Sequence, residues 1–295
     1  MKPQIYAKSA IKINNIKCKH TIGCDGIEIQ LLSELKNNEE INLKNFENLK
    51  IKAVHVPNID MTADVLIDYI SNEEYHKYIR ETCQIANYFG EKQEELIIVI
   101  IHSEIDFEHL MKTKILYESI KENIRNLLSE FPYIKIGIEN VLPIQIKPDK
   151  DLRTCNNFKS DNIKLINKLK EDIGTERLGA VLDTCHAMMS EKYILALFKE
   201  LNIEPKEYSL NEFFKEYKDT CILIHLSDFK KNGFGKEHHG IQFSKNTKEK
   251  CFEILDLYKK YNYTCPITLE VAETDYLKCD GYKNTKEIVD SYKWN

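Results

Sequence analysis

The chain has 295 residues, 42% of them hydrophobic and 30% charged, with a formal net charge of −5. That length suits two small domains or one large α/β barrel, and the composition is that of a globular protein rather than a disordered one. The acidic balance speaks against wrapping nucleic acid by bulk electrostatics, because neutralising phosphates needs a basic face, and no apolar run reaches the roughly 18 residues a membrane span needs.

Short β-branched runs alternate with longer amphipathic stretches, without internal repeats or low-complexity linkers, which is the pattern of βαβ units on a parallel sheet. The first candidate strand, "QIYAKSA", is weak, and no clear helical pattern follows it before residue 26. "GIEIQLL" and "IKAVHVP" come next, then residues 63–89 with apolar positions at helical spacing and Gly90 placed to end that helix. "LIIVIIHSE" is the fourth strand, followed by a helix over 108–130 with Pro132 as its stop. "YIKIGIENV", a helix over 160–171, "LGAVLDTCHA" and a helix over 191–200 continue the alternation. "CILIHLSDF", a helix over 246–261 and "PITLEVAE" complete it. Eight strands with intervening helices predict a (β/α)₈ TIM barrel forming a single domain over 1–295, with a doubly wound open sheet as the alternative topology. The loop 140–160 should overhang the mouth, as a solvated loop or as a lid presenting Lys147, Lys150 and Arg153 to an anion. The segment 203–218 reads as an insertion without an assigned role.

In such a barrel the active site is built at the carboxyl ends of the strands. There the third strand carries His55, the fourth His102, and the fifth Glu139 followed by Asn140. The sixth carries Asp183 and His186, the seventh His225 and Asp228, and the eighth Glu270, with "GKEHHG" (235–240) in the loop after the seventh. Singly, each has an ordinary structural reading, and Asp228 is read as a turn residue and Cys185 as a structural thiol. Jointly they differ, because six successive apolar runs each deliver a His, Asp or Glu where burial would otherwise demand an apolar side chain. Burying so many ionisable groups unpaired costs several kcal/mol apiece, and a divalent cation is the simplest common partner. Mixed imidazole and carboxylate donors suit Zn²⁺ or Mn²⁺ better than Mg²⁺ or Ca²⁺.

"LDTCHA", "HLSD", "IEN" and the "LE" after the last strand resemble the endonuclease IV family (AP endonuclease family 2), one branch of the xylose isomerase-like TIM barrels. The resemblance implies that Glu139 bridges two metals, that His55 and His102 complete the first, and that Asp183, His225 and Glu270 hold the second. It also implies a third ion held by His186 with a pair after the seventh strand, here Glu237 and His239, with His238 as the alternative if the register slips by one. Other elements depart from that family. The first strand lacks its His and Gly, the glycine-rich stretch after the His pair shrinks to "HGIQF", and "DGIEIQLL" with Glu28 is closer to the sugar-isomerase branch.

Three readings follow. The first is hydrolysis of a phosphodiester in damaged DNA by a di- or trinuclear centre, using all of these ligands. The second is a single-metal sugar (phosphate) isomerase or epimerase, with Glu139 and Glu270 as acid/base carboxylates and His186 orienting a sugar oxygen. The third is a barrel that has lost catalysis and serves as a binding module. Glu139, Glu270 and His186 are therefore the expected catalytic groups, one to three Zn²⁺ or Mn²⁺ the expected cofactors, and Asn140, Arg153 and His238 the expected substrate contacts. Nine cysteines without a CxxC pair, and an N-terminus lacking the apolar core of a signal peptide, predict reduced thiols in the cytoplasm. No membrane and no obligate protein partner are implied.

Overall fold

The computed structural model describes residues 1–32, 42–58, 70, 76–103, 107–141, 159–200, 209–230, 238–275 and 277–294. Eight parallel strands close into a barrel. They are β1 (Ile5–Ala10), β2 (Gly26–Leu32), β3 (Ile51–Asn58), β4 (Ile97–His102), β5 (Ile134–Glu139), β6 (Leu178–Asp183), β7 (Cys221–Leu226) and β10 (Ile267–Leu269). Around the barrel they neighbour one another in the order β1-β10-β7-β6-β5-β4-β3-β2. An antiparallel pair, β8 (Asp228–Lys230) and β9 (His238–Ile241), leaves the top of β7.

Period-two alternation explains why these sequences close a barrel. Along β4, Ile97, Val99 and Ile101 pack outward into the cluster shared with the helices, while Ile98 and Ile100 point inward. The inner floor is a separate apolar cluster of Tyr6, Ala53, Ile98, Ile100, Val181 and Leu223. Tyr6 is bulky, and the floor accommodates its large side chains by keeping some inward positions small. A Cβ on Gly137 would lie 2.6 Å from Val181 Cγ2. Because the alternation continues, the residue two places beyond each floor position also points inward, at the carboxyl mouth.

The helices correct several boundaries. The first strand is real, pairing with β2 from Tyr6↔Gly26 to Ala10↔Gln30, and α1 (Ile13–Thr21) follows it where no helix was expected. Its sequence, "INNIKCKHT", is polar and its N-cap residue Lys12 makes no side-chain cap, so it carries little local signal. Within the expected 63–89 helix, the described part is α2 (His76–Gln93), which runs past Gly90. Gly90 is a packing residue instead, since a Cβ there would sit 2.6 Å from Tyr133 Cβ, and the left-handed residue after the helix is Glu94 (φ 54°). The 108–130 helix is two, α3 (Phe107–Lys112) and α4 (Lys114–Glu130), and α4 stops before Pro132 as expected. Arg177 finishes it, donating to Leu128 O at 2.5 Å and Phe131 O at 3.0 Å.

α5 (Lys159–Ile173) and α8 (Lys248–Lys260) lie where predicted, whereas α6 (Thr184–Glu200) starts seven residues earlier than the expected 191. Within 203–218, residues 201–208 lie outside the described set and the remainder forms α7 (Leu210–Tyr217), whose N-cap Ser209 accepts from Glu212 N. The C-terminal α9 (Asp280–Ser291) was not anticipated. Glu273 accepts from Gly281 N and Tyr282 N, both at 2.8 Å, at its start. The loop 142–158, with Lys147, Lys150 and Arg153, lies outside the described residues. Among the described residues no helix is long and apolar enough to cross a membrane.

Candidate metal centre

All eight strands place an ionisable side chain at the mouth, one inward step above the floor. Direct register pairs set Lys8 beside Glu28, His102 beside Glu139, and Asp183 beside His225. His55 stands above Ala53 on β3, and Glu270 follows immediately after β10. Six of these positions were expected from the sequence; Glu28 was noted without a role, and Lys8 was missed. Its signal was present in the alternation, because Lys8 follows the inward Tyr6 by two.

The side chains converge on two adjoining places. His55, His102 and Glu139 offer ligand atoms within 4.8 Å of one another, and so do Glu139, Asp183, His225 and Glu270. Glu139 is common to both. Its Oε2 lies 3.1 Å from His55 Nε2, 3.5 Å from His102 Nε2 and 3.5 Å from His225 Nδ1. His55 Nδ1 is 2.8 Å from Val56 O, so it donates there and leaves Nε2 as a lone pair facing the Glu139 carboxylate. Burial and the neighbouring Lys8 ammonium both hold His55 below its ordinary pKa, which favours that neutral form. Two acceptors 3.1 Å apart are relieved by a cation between them.

The second place has the same character. His225 Nε2 lies 3.0 Å from Glu28 Oε2, and its Nδ1 is 2.7 Å from Glu270 Oε2 and 3.9 Å from Asp183 Oδ2. His225 Nδ1 and Glu270 Oε2 are both buried without a hydrogen-bond partner. Burial lowers the His225 pKa, yet Glu28, Glu270 and Glu139 together raise it well above the usual imidazole range. Burial also pushes the Asp183 carboxyl up to about 7. The carboxylates around His225 outweigh its burial, while Asp183 is raised first by burial and then by Glu270 and Glu139. Orphaned donor atoms, mixed N/O chemistry and a demand for positive charge fit a divalent ion in each place.

Asn140 and His186 take roles that the sequence did not assign. Asn140, expected to touch substrate, instead commits its amide to the main chain of Asp183, accepting from its N at 2.7 Å and donating to its O at 3.0 Å. His186 belongs to the first turn of α6 rather than to β6. Its backbone N donates to Asp183 Oδ1 at 2.7 Å, its Nδ1 lies 2.9 Å from Asn140 O, and it joins neither ligand group. Against the desolvation of burial, Asp183 and Glu139 raise its pKa to about 9. Its intended partner Glu237 lies outside the described residues, as do the side chains of His238 and His239. Cys185 is buried in α6 with Sγ 3.7 Å from Met189 Sδ, a packing position, whereas Asp228, read as a turn residue, opens strand β8, where it accepts from Phe229 N at 2.8 Å and from Lys250 Nζ.

Residues 19–294 match the family described as xylose isomerase-like TIM barrel. The chain belongs to that family. Among solved structures, this family member is similar to an AP endonuclease, family 2, from Brucella melitensis (12% identity, TM-score 0.55, covering 94% of this chain and 96% of that one). It is equally similar to L-ribulose 3-epimerase (13% identity, TM-score 0.57, 98% and 94% covered). A third likeness is to a Thermus thermophilus protein soaked with zinc chloride (13% identity, TM-score 0.52, 98% and 99% covered). No match is found among curated proteins. At these identities the likeness is one of fold. The same fold thus occurs in an AP endonuclease and in an epimerase, and the choice between such activities falls to the side chains.

Proposed function

We propose that this xylose isomerase-like barrel is a metal-dependent phosphodiester hydrolase with a dinuclear centre, acting on damaged DNA of the abasic type. The observation that carries this reading is that His55, His102 and Glu139 form a ligand group of their own beside that of Glu139, Asp183, His225 and Glu270. A single-metal sugar enzyme needs Glu139, Asp183, His225 and Glu270, whereas His55 and His102 gain a purpose only when a second ion shares Glu139. Bound ions would supply Lewis-acid polarisation of a phosphoryl oxygen and a water of lowered pKa.

The chain's own residues prepare that chemistry. Val56 O and Glu28 fix the ring orientations of His55 and His225, so each presents one nitrogen to the centre. Asn140 holds Asp183 in place by clamping the end of β5 to the end of β6. His186 has its Nδ1 committed to Asn140 O, and the third ion that the family resemblance implies would draw on this residue. Glu270 fits a ligand better than a general base: its Oε1 is 2.6 Å from the Lys8 ammonium while Oε2 faces the other ligands. That leaves Glu270 without an uncommitted oxygen to take a proton from a sugar carbon.

The alternative, a sugar isomerase or epimerase with Glu139 and Glu270 as acid/base pair, is supported by the second group, which is complete for one ion by itself. Arginine placement also bears on the substrate. Arg177 is committed to α4, Arg80 pairs with Glu130 and Arg125 with Glu122 at 2.5 Å, leaving only Arg153 as a candidate phosphate fork. Metal analysis separates the readings, with two or three Zn²⁺ or Mn²⁺ per chain for the hydrolase and one for the isomerase. Nicking of a duplex carrying an abasic site is the decisive assay, and silence at micromolar enzyme with both ions loaded removes the hydrolase reading. A cytoplasmic location belongs to the same proposal and rests on the thiols, all free among the described residues.

A further inference from the structure

Lys8 is an ammonium set inside a cluster of proposed metal ligands. Its strand lies between β10 and β2, and the register puts it level with a carboxylate on each side: Ala7 pairs with Leu269, one residue before Glu270, and Lys8 itself pairs with Glu28. The Nζ atom is 2.6 Å from Glu270 Oε1 and 3.5 Å from Glu28 Oε1. The side chain is nearly buried, at 10% exposure, so water screens these contacts weakly. Its backbone is tethered as well, since the buried Lys19 of α1 donates from Nζ to Lys8 O at 2.6 Å.

The arrangement differs from a surface salt bridge in what it does to the ligands. Glu28 orients His225 through Oε2, and Glu270 faces His225 through its own Oε2. In both carboxylates the oxygen nearer Lys8 is the other one, Oε1. The ammonium thus binds the far oxygen of one proposed ligand and approaches that of the group behind another. It adds one positive charge to a mouth holding four carboxylates, Glu28, Glu139, Asp183 and Glu270.

We propose that Lys8 is a built-in cation of the centre, a positioning residue that confines Glu270 to one coordinating oxygen and limits how strongly the centre draws divalent ions. This rests on the metal-centre reading. Two ions would bring four positive charges to four carboxylates, so the ammonium competes with them for the same negative charge. Without Lys8, Glu270 is free to close on an ion through both oxygens and the carboxylates act unopposed.

The test is Mn²⁺ titration by calorimetry, with metal counts per chain, on the wild-type protein and on Lys8→Met and Lys8→Arg. Lys8→Met should bind Mn²⁺ at least about tenfold more tightly, because a positive charge within a few ångströms of the ion has been removed. Lys8→Arg, which keeps the charge, should stay within about threefold of wild type. If Lys8→Met does not fold without metal, its refolding is followed across a Mn²⁺ series, and recovery of the fold with saturation at a lower Mn²⁺ concentration than wild type needs supports the proposal. Unchanged or weaker Mn²⁺ binding by Lys8→Met, or failure to refold at any Mn²⁺ concentration, overturns it. A wild-type protein that binds neither Mn²⁺ nor Zn²⁺ overturns the metal-centre reading itself, a different outcome from metal binding that ignores Lys8.

Discussion

The floor and the mouth of the barrel are built by the same strands, two residues apart, and they obey opposite rules. On the floor, Tyr6, Ala53, Ile98, Ile100, Val181 and Leu223 pack against one another with no charge. One inward step higher the same strands present Lys8, His55, His102, Asp183 and His225, all buried, around the carboxylate of Glu139 on β5. The floor stabilises by apolar burial, about 25 cal/mol per Å². The mouth offsets part of that stability with desolvated charge. A barrel therefore tolerates a buried polar layer where the layer beneath it is dry and tight, and the charge deficit of the mouth is what makes it attract cations.

Substitutions in the two layers should separate cleanly. The largest effect is expected from Glu139→Gln, which neutralises the carboxylate common to both ligand groups. The proposed hydrolytic activity should fall by about a thousandfold or more, several kcal/mol of transition-state stabilisation, and metal content should drop in both places.

Ile100→Ala should do the reverse, costing about 2–5 kcal/mol of stability through the cavity it leaves, while metal counts stay as in wild type. If it also empties the centre, the two layers are not separable. Glu28→Gln should weaken metal binding by about 10–100-fold, because His225 loses the anion that orients its ring; calorimetric titration reads this directly. Asn140→Ala leaves the Asp183 N–H buried without its acceptor and should cost about 1–3 kcal/mol in denaturant unfolding. Lys168→Ala, far from both layers, breaks an exposed pair with Asp172 at 2.6 Å and should move stability by no more than about 0.5 kcal/mol.

Much of this was legible in the sequence, and the failures have physical causes. Strands rich in Ile and Val, such as "IIVIIH", announce a parallel sheet buried on both faces, and their ends exposed the ligands because a His or Glu there breaks an apolar run. Lys8 escaped because β1, "IYAKSA", is mixed in polarity, so nothing around it made a charged residue look out of place. The shared place of His55, His102 and Glu139 could not be read from the chain, since they lie on three strands and meet only when the barrel closes. His186 was placed on a strand because "LDTCHA" starts apolar, but Asp183 accepting from His186 N begins a helix there. Asn140 looked like a substrate contact by position alone, and only the register of β5 against β6 shows its amide committed to Asp183.

Anomalous diffraction at the manganese edge, from crystals grown with Mn²⁺, tests the central claim most directly. Two peaks sharing Glu139, one beside His55 and His102 and the other beside Asp183, His225 and Glu270, are the expected result. Density lacking any ion at Glu139, in crystals saturated with Mn²⁺, would contradict the account.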